Sequence, residues 1–202
     1  YTLSYEYVNG NGERVKFDPT SAESADIWYA EAYVTLVPTA IGENRGLAAT
    51  NNGGSFERKL VTDDPAFTFE LRDAFGDTAS VDVSLSHFDI FPGTLSYTLA
   101  HTSKTAKPVG ITVTASDAQS GVARVALYGK DGKEIPLTYD EADDVYTGEV
   151  PVSGTYRLWL LDKAGNKTEK SFTVSNINTV KPKATVSYSV DQAKKSRENV
   201  IA

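Results

Sequence analysis

The stretch at 156–174, YRLWLLDKAGNKTEKSFTV, decides how this chain folds. Tyr156, Leu158 and Leu160 alternate with Arg157, Trp159 and Leu161, the period of two expected of a strand with one buried face. If Tyr156 points inward, Trp159 points outward. The segment DKAGN follows as a tight turn, with Gly165 able to adopt positive φ, and KTEKSFTV returns as the partner strand. Upstream, VGITVTAS, VARVALYG, KEIPLTYD and DVYTGEVP are further short runs bounded by Gly, Asp and Pro. Together with TLSYTL at 94–99 they predict seven short strands and leave no helix-length segment between them.

The same pattern occurs earlier in the chain. TLSY stands at 2–5 and again at 94–97, and TVSY at 185–188. The segment 67–97 aligns with 156–188: Phe67, Phe69 and Leu71 fall on Tyr156, Leu158 and Leu160, Asp73 on Asp162, Gly76 on Gly165, and Asp77 on Asn166. A repeat of roughly ninety residues is the size of a whole small domain rather than a solenoid unit. The expected fold is therefore all-β: two tandem immunoglobulin-like β-sandwiches joined end to end, at 1–91 and 92–182. Residues 183–202 read as the first strand of a truncated third unit, with 189–202 poorly ordered for want of pairing partners. The first unit departs from the pattern. YEYVNGNGERVKF predicts an inserted N-terminal hairpin turning at Asn9–Gly12. DPTSAESADIWYAEAY predicts a helical turn near 20–26 and a strand from about residue 30.

Composition excludes several functions. A net charge of −7 and a pI near 4.9 argue against nucleic acid, which requires clustered Lys and Arg. The one basic cluster, KKSR at 194–197, reads as a solvated charge run. The apolar runs are too short for membrane insertion by a helix. The absence of Cys removes disulfides, thiolate nucleophiles and Cys-based zinc sites. With no Met and Tyr at position 1, the chain reads as a segment of a longer or processed protein, any signal peptide or anchor lying outside it.

ITVTASDAQSGVARVALYGKDG, SGTYRLWLLDKAGNKTEKSFTV and INTVKP resemble the bacterial immunoglobulin-like (Big-type) tandem repeats of secreted and cell-surface proteins. The shared features are an Asp-x-x-Ser-Gly-Val segment, a Gly-x-Tyr strand leading into Asp-x-Ala-Gly-Asn, and an Asn-Thr-x-x-Pro linker. The first unit, through ATNNGGSFERKL and FTFELRDAFGDTASV, is similar to a sister variety. It departs in having Asp77 where the turn usually carries Asn, and in the irregular linker FDIFPG. The resemblance implies an extracellular location, at the cell surface or secreted, and neighbouring immunoglobulin-like repeats of the same chain as partners. It further implies a role as stalk, spacer or adhesive arm.

Two groups of residues are candidates for binding. In a sandwich of this topology Asp117, on the loop after the second strand, shares an end with Asp162 and Asn166, on the last hairpin turn. Asp89 enters that end from the linker. Four oxygen donors there would suit Ca²⁺, whereas the plainer reading is turn residues bonding their own backbone. Trp28, Tyr29 and Trp159 are candidates for stacking on a glycan of a host or cell-wall surface, against the plainer readings: packing of the inserted segment onto the sandwich for Trp28 and Tyr29, and cover by a domain interface or long neighbouring side chains for Trp159.

Nothing points to catalysis. His87 and His101 have no nucleophile elbow near them, and the acidic run YDEADD at 139–144 reads as a solvated turn. No pattern selects a Lys–Asn pair for an isopeptide crosslink. The expected function is that of a non-catalytic extracellular spacer. The alternative is an adhesin or carbohydrate-binding module that uses exposed aromatics.

Overall fold

The computed structural model describes residues 1–37, 46–61 and 66–187. Its regular elements are β-strands, with two single 3-10 turns at Ala22–Ser24 and Thr50–Asn52. No helix among the described residues is long and apolar enough to cross a membrane.

The first strands are β1 (Thr2–Val8), β2 (Arg14–Phe17), β3 (Ala32–Val37), β4 (Ala48–Ala49), β5 (Glu57–Leu60), β6 (Ala66–Arg72) and β7 (Thr78–Ser84). They form one sheet in the order β2-β1-β3-β5 and a second in the order β4-β6-β7. Inward residues of both sheets, including Val34, Leu36, Leu60, Phe69, Leu71, Val81 and Val83, meet in one buried core. The predicted hairpin is β1–β2, in register with Tyr5 opposite Phe17. The Asn9 side chain closes its turn by accepting the Asn11 and Glu13 N–H groups at 2.9 and 3.0 Å. The hairpin has a packing consequence. Phe17 and Tyr7 lie against Tyr29, with ring centroids 5.1 and 6.0 Å away, and bury that ring at 2% exposure.

The remaining strands are β8 (Thr94–Leu99), β9 (Val109–Ser116), β10 (Val122–Tyr128), β11 (Glu134–Ile135), β12 (Leu137–Asp140), β13 (Val145–Val150), β14 (Gly154–Asp162) and β15 (Lys167–Val174). Their sheets run β12-β13-β9-β8 and β11-β10-β14-β15, every pairing antiparallel. Tyr156, Leu158 and Leu160 are fully buried in the second core with Val109, Ile111, Val113, Leu127 and Phe172, as the alternation requires. The two cores share no residue. Burying a Leu or Phe side chain is worth about 1.5–3 kcal/mol, so each core is a substantial source of stability.

One expected strand is divided. KEIPLTYD becomes β11 and β12, which belong to different sheets. Pro136 sits at the break, where its missing N–H cannot serve a ladder, and the chain crosses from one sheet to the other. The expected opening strand of a third unit lies partly outside the described residues, and 183–187 carry no assigned strand. The poor order expected of 189–202 concerns residues wholly outside them.

Candidate functional site

The segment between β7 and β8 is hydrogen-bonded on both sides. Toward the first core, Phe88 forms a parallel bridge with Tyr29. Tyr29 N–H donates to His87 O at 3.1 Å, and Asp89 N–H donates to Tyr29 O at 3.0 Å. Toward the second core, Asp89 Oδ2 accepts the Ser120 N–H at 3.1 Å, and its backbone carbonyl accepts the Asn166 side-chain amide at 2.9 Å. Thr168 Oγ1 donates to Gly93 O. Gly93 belongs here because a side chain would not fit: an added Cβ would lie 2.7 Å from Ser116 O and 3.0 Å from Leu160 Cδ2.

The linker carries Asp89 into a cluster of carboxylates. One oxygen each of Asp89, Asp117 and Asp162 lie within 4.8 Å of one another. Asp89 and Asp162 are each only 1% exposed, whereas Asp117 is partly exposed. Each has local partners. Asp89 Oδ1 accepts the Phe91 N–H at 2.9 Å, and Asp117 Oδ1 accepts the N–H groups of Gln119 and Gly121 at 3.1 and 2.8 Å. Asp162 Oδ1 and Oδ2 accept the backbone and side-chain N–H of Asn166 at 2.8 and 2.9 Å. Burial pushes the Asp162 carboxyl above its ordinary value; the Asn166 bonds oppose this, and the Asp89 and Asp117 charges add to the rise.

Three of the four residues expected to meet at this end therefore do so as oxygen donors. Asn166 joins them with its amide nitrogen turned toward Asp89 and Asp162, so in this arrangement it donates. Oxygens around one Ca²⁺ at about 2.3–2.6 Å cannot be more than about 5 Å apart, and the trio satisfies that limit. Chemically the cluster fits a hard cation. It has a concentrated negative charge, two buried carboxylates and no basic side chain among its bonded partners. Sequence reasoning missed Ser120, Thr168 and Gly93. The only signals were the Ser-Gly pair after Asp117 and the glycine following Pro92.

The aromatic candidates are dispersed. Tyr29 is a core residue; its ring is enclosed by Tyr7, Phe17 and Phe88, which leaves no face for a glycan and corrects the expectation that it stacks on one. Trp28 meets the His87 ring edge-on at 5.0 Å. It lines a surface groove with Tyr7, Val8 and Ile27 on one side and Leu161, Lys163 and Ala164 on the other. Trp159 does point out of the second core. Tyr128 is stacked beside it at 5.6 Å, and Lys167 and Arg124 lie 4.7 and 5.5 Å from its ring centroid. His87 and His101 contact Ser86 and Ser103 and do not join the carboxylates.

No protein-family model matches the chain, and no curated protein matches it.

Proposed function

We propose that the chain is a pair of tandem immunoglobulin-like sandwiches, 1–91 and 92–182, with 183–202 opening a third, and that it serves as a non-catalytic spacer in a larger secreted or cell-surface protein. The order β12-β13-β9-β8 and the run β10-β14-β15 match the two sheets of an immunoglobulin constant-type sandwich, with the two-residue β11 added outside β10. The Tyr156 hydroxyl, near the start of β14, donates to Val152 O, four residues back in the turn before that strand, in the manner of a tyrosine corner. In the first unit β4, β6 and β7 take the places of the corresponding sheet, and β2 adds a strand outside β1.

The observation that carries the spacer reading is the double attachment of Asp89. A free linker would let two modules reorient, whereas here Asp89 donates its N–H to Tyr29 O and its carboxylate accepts the Ser120 N–H. In this reading Ca²⁺ is held by Asp89, Asp117 and Asp162, neutralises their mutual repulsion and stiffens the junction. The carbohydrate-binding alternative loses Tyr29, which is buried, and rests on Trp28, in its surface groove, and on Trp159, which lies among Tyr128, Lys167 and Arg124.

Small-angle scattering at high dilution, with Ca²⁺ and with chelator, tests the spacer reading. An extended particle of one maximum dimension is expected, sharper with Ca²⁺. A broad distribution that includes bent, compact forms in both conditions would overturn it.

A further inference from the structure

β7 and β15 are corresponding strands that follow the same kind of turn. Asp73 N–H donates to Asp77 O at 3.0 Å before β7, and Asp162 N–H donates to Asn166 O at 3.1 Å before β15. Each strand ends its sheet, so among the described residues each has a neighbouring strand on one side only. The Asp73–Asp77 bond sets the phase of the β6–β7 ladder, in which bonded and non-bonded pairs alternate. Leu71–Ala79, Phe69–Val81 and Phe67–Val83 are then the bonded pairs, and Thr78, Ser80, Asp82 and Ser84 turn their N–H and C=O groups away from β6. The other side of β6 agrees with that phase. Glu70 N–H donates to Asn51 Oδ1 at 3.0 Å, while Glu70 O and Thr68 O accept from Thr50 Oγ1 and Asn51 Nδ2 at 3.1 and 2.7 Å.

An open edge is a template for another strand, and proteins guard such edges with charges, lysine above all, including charges on the inward side. β15 carries that guard. Lys167 and Glu169 stand on its outer face, and Lys170 stands on the core side, opposite the buried Leu158 and 5.8 Å from the Tyr97 ring centroid. Counted from the turn, the same positions of β7 are Thr78, Ser80 and Val81. Asp82 is the one charged residue of β7, the strand has no Lys, Pro or Gly, and its register with β6 runs without a bulge from Thr78 to Ser84. The guard present on one copy of the strand is missing from the other.

We propose that a second copy of this chain pairs with β7 through its own β7, antiparallel about a two-fold axis at Val81, so that the two β4-β6-β7 sheets become one. The strand's own sequence selects this occupant and this register. With the axis at Val81 all seven residues overlap, Thr78 opposite Ser84 and Ser80 opposite Asp82. Those edge-facing residues exchange N–H···O bonds, and Val81 meets its counterpart in a non-bonded pair, as the phase fixed by β6 requires. Asp82 Oδ1 accepts the Thr68 hydroxyl at 2.7 Å, and Oδ2 takes the Ser80 hydroxyl of the second copy. An axis at Asp82 would instead set two carboxylates opposite each other, which is destabilising. The contact is isologous and closes as a dimer.

Amide hydrogen exchange on the native chain reads this edge residue by residue. At high dilution the Ser80 and Asp82 amides face solvent and exchange fast, while those of Val81 and Val83, bonded to β6, exchange slowly. Raising the protein concentration is expected to slow exchange at 80 and 82 several-fold. Exchange at both positions that stays fast at every concentration would overturn the proposal.

Sedimentation velocity gives a second readout. The native chain's sedimentation coefficient is expected to rise from monomer to dimer with concentration. Ser80→Pro removes an edge-facing N–H and leaves the β6 ladder its donors, a position where an edge strand tolerates proline. It abolishes the rise, with a urea midpoint near that of the native monomer. Ser171→Pro, at the position of β15 that matches Asp82, leaves the rise in place. No rise in the native chain, a rise that survives Ser80→Pro, or one that Ser171→Pro abolishes equally would overturn the pairing. The pairing rests on the comparison of β7 with β15 and not on the spacer reading. A rigid, extended chain that stays monomeric removes only the pairing, and a dimer of bent, variable chains removes only the spacer reading.

Discussion

Asp89 and Ser120, thirty-one residues apart, are joined by a buried hydrogen bond of 3.1 Å from the Ser120 N–H to Asp89 Oδ2. The same aspartate gives its backbone N–H to Tyr29 O at 3.0 Å, so one residue bonds a member of the first core and the loop that follows β9. In Asp89→Ala the Ser120 N–H, in a residue almost fully buried, loses its acceptor. Leaving such a group unpaired costs about 1–3 kcal/mol, and urea unfolding is expected to show a loss of that size. Faster amide exchange at 120 and 121 should accompany it. Unchanged stability and exchange would mean that the bond contributes nothing to the junction.

Gly93 tests the closeness of the linker independently of charge. Its missing Cβ would sit 2.7 Å from Ser116 O, a backbone atom that cannot move aside cheaply. Gly93→Ala is expected to cost about 1–3 kcal/mol by overpacking. Gly132→Ala, at a turn with nothing within 4 Å but with φ at +77°, supplies a comparison in which backbone strain is the only cost. Equal effects of the two on the position of the β8 amides would contradict the close approach.

The Asp162 carboxyl gives a pH dependence with a definite sign. Its folded pKa is raised above the unfolded one, so between the two the folded chain holds a proton the unfolded chain has lost. Unfolding free energy therefore falls as pH rises through that window, which begins near the ordinary carboxylate value of about 4. The native chain minus Asp162→Asn is expected to show this decline in chelator, and added Ca²⁺ should reduce it. Parallel pH curves for the two proteins would contradict it. Ca²⁺ should also raise the melting temperature of the native chain and not of Asp117→Ala, because binding to the folded state alone must stabilise it.

The second core and its corner can be separated by substitution. Tyr156→Phe keeps the buried ring and removes the hydroxyl that bonds Val152 O, at an expected cost of about 0.5–1.5 kcal/mol. Leu158→Ala, in the same strand and fully buried, is expected to cost about 2–5 kcal/mol through transfer and cavity terms. Chemical denaturation distinguishes these magnitudes. A Tyr156→Phe loss as large as that of Leu158→Ala would show that the hydroxyl does more than close the corner.

Strands whose burial alternates were legible in the sequence. Tyr156, Leu158 and Leu160 mark β14 because one face of that strand is core and the other is not. The turn carboxylates were legible as a group because Asp162 and Asn166 belong to a hairpin of fixed geometry and Asp117 to the loop beside it. Relations between distant segments were not legible. Tyr29 reads as an end-of-insertion aromatic, yet β2 brings Phe17 over it, and only the pairing of β1 with β2 reveals that burial. Pro136 signals a break in a strand without saying that the two halves join different sheets. Asn166 has the right element for a cation ligand, but whether its oxygen or its nitrogen faces Asp89 depends on an acceptor 77 residues away.

The most direct test of the junction is the alignment of backbone N–H vectors in the two cores, measured as residual dipolar couplings in a weakly ordering medium with Ca²⁺ present. If Asp89 holds the units as one body, amides of β3, β6 and β7 and amides of β9, β10 and β14 will fit a single alignment tensor of one magnitude and orientation. Two tensors of different magnitude would show that the units move independently and would contradict the spacer reading.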